Sequence, residues 1–260
     1  AYIIANEKRI EMLKKKIIPP NSVLIIGDNN ASNEVQLLAS ELMFVDENNI
    51  STIKPRFSMK DNIFTKTLVS YDTDFNPYLY DGSDLLLSNF AVVILFTEEK
   101  IGDFKTEYHP NFGTNLSRYI SSGGNVIFGN YFWQNSIPGF SYYNIPILYD
   151  RATIYRETLL SNLRFGYSHP ITTNVNANIA LTPQNIAVNI AVNPTAVTIA
   201  TTSGNIPFIS VRKDLTSGSR TVGFNGYLGT ISPAKDNNGV IIHNYAVLIY
   251  NSVYWCMGFI

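Results

Sequence analysis

One cysteine, three histidines and a short acidic turn are what this chain offers for chemistry. Cys256 is the sole thiol, so neither an intrachain disulfide nor a Cys-based zinc cage is available. His109 and His169 each precede a proline, and His243 stands ahead of an apolar segment. No two share the i, i+4 spacing of a helical metal site, so the expectation is no metal and structural or exposed histidines, with His169 the best candidate for a binding or catalytic role. Glu98 and Glu99 follow an apolar run directly. A desolvated carboxyl there would serve as general acid or base, but adjacent residues on a turn seldom face one substrate, and a solvated loop is the simpler reading. Gly27 followed by Asp28 and Asn29 puts a strand end ahead of a helix start, as an anion cradle would. Asp28 is negative and no lysine follows, which argues against a phosphate loop.

The elements that must position these residues follow from apolar spacing. Phe90 to Phe96 is an unbroken apolar run rich in β-branched and aromatic types, the pattern of a central strand buried on both faces of a parallel sheet. In such sheets the ligand crevice lies beyond the carboxyl ends of the strands, which is where Thr97, Glu98 and Glu99 fall. Ser22 to Gly27 reads as the first buried strand, leading into a helix capped by Ser32 or Asn33 with Val35, Leu38, Leu42 and Val45 on one face. Asn49 to Lys54 reads as a second strand, and Pro55 to Asp84 as an irregular excursion. Thr114 is expected to cap a short helix with Leu116, Tyr119 and Ile120 inward, stopped by Gly123-Gly124, before a buried strand over Asn125 to Gly129. Strand, helix and strand in that order argue for a parallel crossover. Tyr131 to Tyr149 reads as an aromatic loop. Val197 to Thr201, Pro207 to Val211 and Arg220 to Asn225 read as strands of an antiparallel run at one side of the sheet, and His243 to Cys256 as an apolar closing helix with Ala246, Ile249, Tyr250, Val253 and Met257 at core spacing. Ahead of all this, Glu7 to Ile18 has the spacing of a basic amphipathic helix, so the chain divides into an N-terminal helical extension over 1–21 and one domain over 22–260.

Composition removes several classes of partner. With 19 Lys and Arg against 20 Asp and Glu, the net charge of −1 provides no field to collect nucleic acid or an anionic membrane. No apolar run is long enough to cross a bilayer. Only 15% of residues are charged, which leaves Asn, Ser, Thr and Tyr to cover an adhesive surface and points to protein contacts or self-association.

In their order along the chain, Val23 to Gly27, the unit Arg118-Tyr119-Ile120-Ser121-Ser122-Gly123-Gly124-Asn125-Val126-Ile127, His169-Pro170-Ile171-Thr172, and Arg220 to Gly226 ahead of a helix ending near Tyr254-Trp255 resemble the class I glutamine amidotransferase-like fold, and within it the trehalose-utilisation-like family. The resemblance implies an α/β, flavodoxin-like three-layer sandwich with a mainly parallel central sheet and an antiparallel extension. An active amidotransferase of that class sets a cysteine in a Gly-rich elbow after a strand, with a His-x-Glu pair later, because the thiolate must be exposed to attack a carboxamide. Here Thr97-Glu98-Glu99 follows the strand, Cys256 falls in the closing helix, and His243 is followed by Asn244 and Tyr245. What the resemblance implies is the scaffold without its glutaminase.

Two expectations for function follow. The leading one is a noncatalytic amidotransferase-like module making protein contacts in a larger assembly, as a structural or virion component or a domain of a multidomain protein, with no cofactor. The other, suggested by the trehalose-utilisation-like family, is a carbohydrate-related enzyme or polar-ligand-binding domain. In that case Asp28, Asn29, Glu98 and Asn130 would hold hydroxyls and Trp133 would stack on a sugar face at the strand-end crevice, with His169 as a further ligand contact.

Overall fold

The computed structural model describes residues 22–26, 38, 64–68, 87–88, 90–95, 111–129, 139–141, 144–149, 155–159, 163–173, 175, 183–226, 228, 234–235, 241–242 and 244–260. The run that the sequence marks as central is central. Strand β3 (Val92–Leu95) is fully buried and lies between β1 (Ser22–Ile26) and β4 (Asn125–Phe128), parallel to both, with Val93 opposite Leu24 on one side and Val126 on the other. A strand with a neighbour on each side and apolar contacts on each face must be apolar at every position, which is why it shows no alternation.

Outside β1 lies β2 (Phe64–Leu68), and outside β4 lies β12 (Arg220–Phe224), both parallel to their neighbours. The five parallel strands therefore run in the order second, first, third, fourth, fifth. Beyond β12 the sheet turns antiparallel through β11 (Pro207–Lys213), β10 (Val197–Thr201) and the two-residue edge strand β7 (Arg164–Phe165), eight strands in all. Two antiparallel ribbons sit apart from this sheet: β5 (Ile147–Tyr149) with β9 (Ile190–Val192), and β6 (Tyr155–Leu159) with β8 (Pro183–Ala187). A third pairs β13 (Ala234–Lys235) with β14 (Ile241–Ile242).

Period-two alternation splits the core between the two faces. Leu24, Ile26, Val93, Leu95, Val126 and Phe128 meet Phe112, Leu116, Tyr119 and Ile120 of helix α1 (Phe112–Ser121). Val23, Ile25, Val92, Ile94, Ile127 and Val222 belong to the opposite cluster, with Ala246, Ile249 and Val253 of helix α2 (Asn244–Met257), which packs across β3, β4 and β12. Leu38, in helical conformation, is buried in that second cluster, as its place in the expected helix requires. The chain is thus a mixed α/β structure with a helix on each face of a sheet that is parallel in one part and antiparallel in the other.

Both described helices end in a Schellman motif. In α1 the Gly123 N–H donates to the Ile120 carbonyl and the Gly124 N–H to that of Tyr119, with Gly123 at φ +98°. In α2 the Gly258 N–H donates to Trp255 and the Phe259 N–H to Tyr254, with Gly258 at φ +80°. Gly124 is required for a different reason: a Cβ there would stand 2.4 Å from the Tyr119 ring, which the core holds in place.

Several expectations change. The stretch read as an irregular excursion contains β2, whose polar-apolar sequence Phe-Thr-Lys-Thr-Leu suits a strand at the margin of the parallel run; the strand expected over 49–54 lies outside the described residues. Thr114 is inside α1 rather than at its cap, because the helix begins at Phe112, whose ring is fully buried. The aromatic stretch ends in β5, whose pairing partner is 41 or more residues away and leaves no local signature. In α2, Ala246, Ile249 and Val253 are buried as expected, while Tyr250 and Met257 are only partly covered. The helix expected over 7–18, and with it the extension over 1–21, lies outside the described residues.

Candidate functional site

At the carboxyl edge of the sheet, β1, β3 and β4 end side by side, with Ile26 opposite Leu95 and Leu95 opposite Phe128. Gly129 continues the pairing, its N–H donating to the Leu95 carbonyl at 2.7 Å. The strand order reverses between β1 and β3, the position where open α/β sheets form their crevice. The residues expected to line it, Asp28, Asn29, Glu98, Asn130 and Trp133, follow these strand ends in sequence and lie outside the described residues. The described part of this edge is finished by Asn225, directly after β12. Its buried side-chain oxygen accepts from the Ala187 N–H at 2.8 Å, and its amide donates to the carbonyls of Ala187 and Pro207, each at 2.9 Å. One acceptor bond and two donor bonds employ both ends of the amide in clamping β8 and β11 to the end of β12.

The opposite, amino edge carries the titratable groups. Cys256, in the last turn of α2, is buried, and its thiol donates to the carbonyl of Arg220, the first residue of β12, at 3.6 Å. Burial pushes the thiol well above its ordinary range, with the nearby Arg220 opposing it more weakly. The side chain is therefore a neutral S–H at physiological pH. Tyr119 is likewise held neutral by burial, its hydroxyl donating to the Phe90 carbonyl at 3.0 Å. Asn125 donates to the Ala91 carbonyl and accepts from the Arg220 N–H at 2.9 Å, and the Ser219 hydroxyl bonds the Gly124 carbonyl. Between these residues and the C-terminal turns of the two helices opens a cavity of about 450 Å³, walled by Phe90, Tyr119, Gly124, Asn125, Cys256 and Met257 among others. Its Tyr119, Asn125 and Cys256 polar groups are committed to backbone partners, so it presents neither a nucleophile nor a proton-transfer group.

Arg220 completes this edge. Its guanidinium bonds the Trp255 carbonyl and lies 5.2 Å from the centre of the Trp255 ring. A cation at the C-terminal end of α2 is favoured by the exposed carbonyls there, and the indole face adds to it. His169 packs on the same indole edge to face, with ring centres 5.2 Å apart. The structure thus places His169 at the amino edge, in a turn against α2. The Arg220–Trp255–His169 grouping has no local sequence signal, because its members come from three separated segments. Among the described residues no group of three His, Cys, Asp or Glu side chains forms a metal site, and no helix is long and apolar enough to cross a membrane.

This arrangement defines a class of fold, and comparison with solved structures refines it. A protein from Parabacteroides merdae described as ThuA-like superposes with a TM-score of 0.53 at 12% identity, over 92% of this chain and 90% of that one. A GMP synthase subunit from Thermoplasma acidophilum gives 0.46 at 8% identity, over 91% of this chain and 94% of that one. The exo-β-1,4-mannosidase Op5Man5 from Opitutaceae bacterium strain TAV5 gives 0.41 at 10% identity, with 84% of this chain covering 33% of that one. No family model matches the sequence, and neither does any curated protein. At this identity the likeness to the ThuA-like protein concerns the fold alone.

Proposed function

We propose that this chain is a noncatalytic amidotransferase-like module, a flavodoxin-like three-layer sandwich that makes protein contacts within a larger assembly. The five-strand order and the ThuA-like likeness support the fold part of this reading. The observation that carries the functional part is the state of Cys256: the one thiol of the chain is buried, protonated and at the amino edge, away from the strand ends where an amidotransferase elbow would sit. A contact surface is offered by the turn between β11 and β12, where Leu215 is 92% exposed. Asp214 fixes that turn, accepting from the Thr216 N–H at 3.0 Å and the Ser217 hydroxyl at 2.9 Å, so little entropy remains to be lost on docking.

The test joins two measurements on the purified chain. Ammonia release from glutamine should stay at the uncatalysed rate, and sedimentation across a range of concentrations should show association that Leu215→Asp weakens by about tenfold, as loss of an apolar anchor does. Glutamine hydrolysis that disappears in Cys256→Ser would overturn the reading. So would an ideal monomer that binds a disaccharide stoichiometrically and loses it in Glu98→Gln, which would instead favour a ligand crevice at the carboxyl edge.

A further inference from the structure

The turn after β7 is built on a histidine that holds it only while neutral. His169 Nδ1 accepts the Ile171 N–H at 3.2 Å, and the His169 carbonyl accepts from the Thr172 N–H at 2.9 Å and the Thr173 hydroxyl at 3.0 Å. An Nδ1 that accepts cannot carry a proton, so the neutral ring bears its hydrogen on Nε2. The turn is tied to α2 by Asn251, whose amide donates to the Ile171 carbonyl at 2.9 Å, and by the His169 ring against Trp255. Facing the imidazole from β12 is the Arg220 guanidinium, which its bond to the Trp255 carbonyl keeps from swinging away. From α2 the neighbours are Trp255 and Asn251, which do not titrate, and the neutral Cys256 thiol, which points at the Arg220 carbonyl. The turn itself contributes only threonine hydroxyls.

We propose that His169 is an acid-sensitive latch: protonation releases segment 163–173, including edge strand β7, from α2 and uncovers the edge of β10. Protonating Nδ1 deprives the Ile171 N–H of its acceptor and places a second cation beside Arg220 over one indole. Among the described residues, the other ties on the segment are slight. β7 pairs with β10 only at Phe165 and Arg164, with one further bond from the Gly166 N–H to the Ile199 carbonyl at 3.3 Å. The edge it covers includes Ile199 and Ala200, both fully buried, so release exposes apolar strand backbone able to pair with another chain. Burial, and secondarily Arg220, hold the histidine below its ordinary range, so the latch stays closed at neutral pH and opens in acid.

Amide hydrogen exchange on the full chain, corrected for intrinsic rates, tests this between pH 7.5 and 5. Protection at Gly166, Ile171, Thr172 and Thr173 should fall by up to about tenfold per pH unit below the histidine's pKa, while Gly123 and Gly124 at the end of α1 keep theirs. His169→Asn supplies a side-chain oxygen in place of Nδ1 that does not titrate, and its protection should be flat over the same range. Equal loss in parent and variant, or a parent that stays protected to pH 5, overturns the latch. If His169→Asn fails to fold, the imidazole nitrogen shifts of the parent decide: a titration midpoint coincident with loss of protection supports the latch, and one separated from it by more than a pH unit overturns it.

Discussion

At the scale of single residues, the positions that matter most are those whose polar or steric requirements are fully met by partners distant in sequence. Asn225→Ala removes three hydrogen bonds and strands the Ala187 N–H, the Ala187 carbonyl and the Pro207 carbonyl in or beside the core. The expected cost is about 2–4 kcal/mol, read as a shift in the urea midpoint at unchanged slope. Gly124→Ala forces a methyl into the Tyr119 ring, and overpacking of this kind costs about 1–3 kcal/mol. Because the clash is with one side chain, the double variant Gly124→Ala/Tyr119→Leu should cost less than the sum of its parts. Strict additivity would show that Tyr119 yields without strain.

At the scale of elements, β3 and the helix ends set the frame. Val93→Asp puts an unpaired carboxylate into a fully buried strand, with apolar neighbours on both sides and α1 above. A penalty of several kcal/mol should abolish cooperative unfolding, whereas a variant that melts like the parent would displace β3 from the centre of the fold. Gly258→Ala tests the closing turn of α2. A side chain at φ +80° costs about 1 kcal/mol, visible as a lower melting temperature. That turn also supports Arg220 and Trp255, so amide protection at Ile171 should fall with it.

At the scale of the whole molecule, stability is bounded on both sides of neutrality. Tyr119, Tyr245 and Cys256 are buried, and burial raises all three above their ordinary values. Each ionises more readily in the unfolded chain, so its contribution is intact below the unfolded pKa and is lost as pH climbs above it, from about pH 8.5 for the thiol and about pH 10 for the phenols. The denaturation midpoint should therefore begin to decline near pH 8.5, and Cys256→Ala should move that onset toward pH 10. His169 has the opposite sense. Its lowered pKa leaves stability whole above the ordinary histidine range and drains it as pH falls from there toward the folded value. An acid limb that vanishes in His169→Asn would assign it.

What the sequence determined by itself was whatever depends on local period. The unbroken apolar runs at Val92–Leu95 and Asn125–Phe128 announce strands covered on both faces, and Gly123-Gly124 announces the end of α1, because burial pattern and backbone freedom are properties of adjacent residues. The alternation of Val197 to Thr201, Pro207 to Lys213 and Arg220 to Phe224 likewise foretold an antiparallel run. Tertiary structure alone decided which strands are neighbours. Strand β2 lies in a stretch without periodicity and gains its order from pairing with β1, and β5 finds β9 across an intervening ribbon. It also decided the character of each reactive side chain. His169 and Cys256 look like candidate chemistry in the linear chain. Their state is set by Arg220, which reaches Trp255 across 35 residues and takes Asn125 as a partner across 95. Desolvation and charge act through space, and no spacing along a chain encodes them until the sheet has brought those segments to one edge.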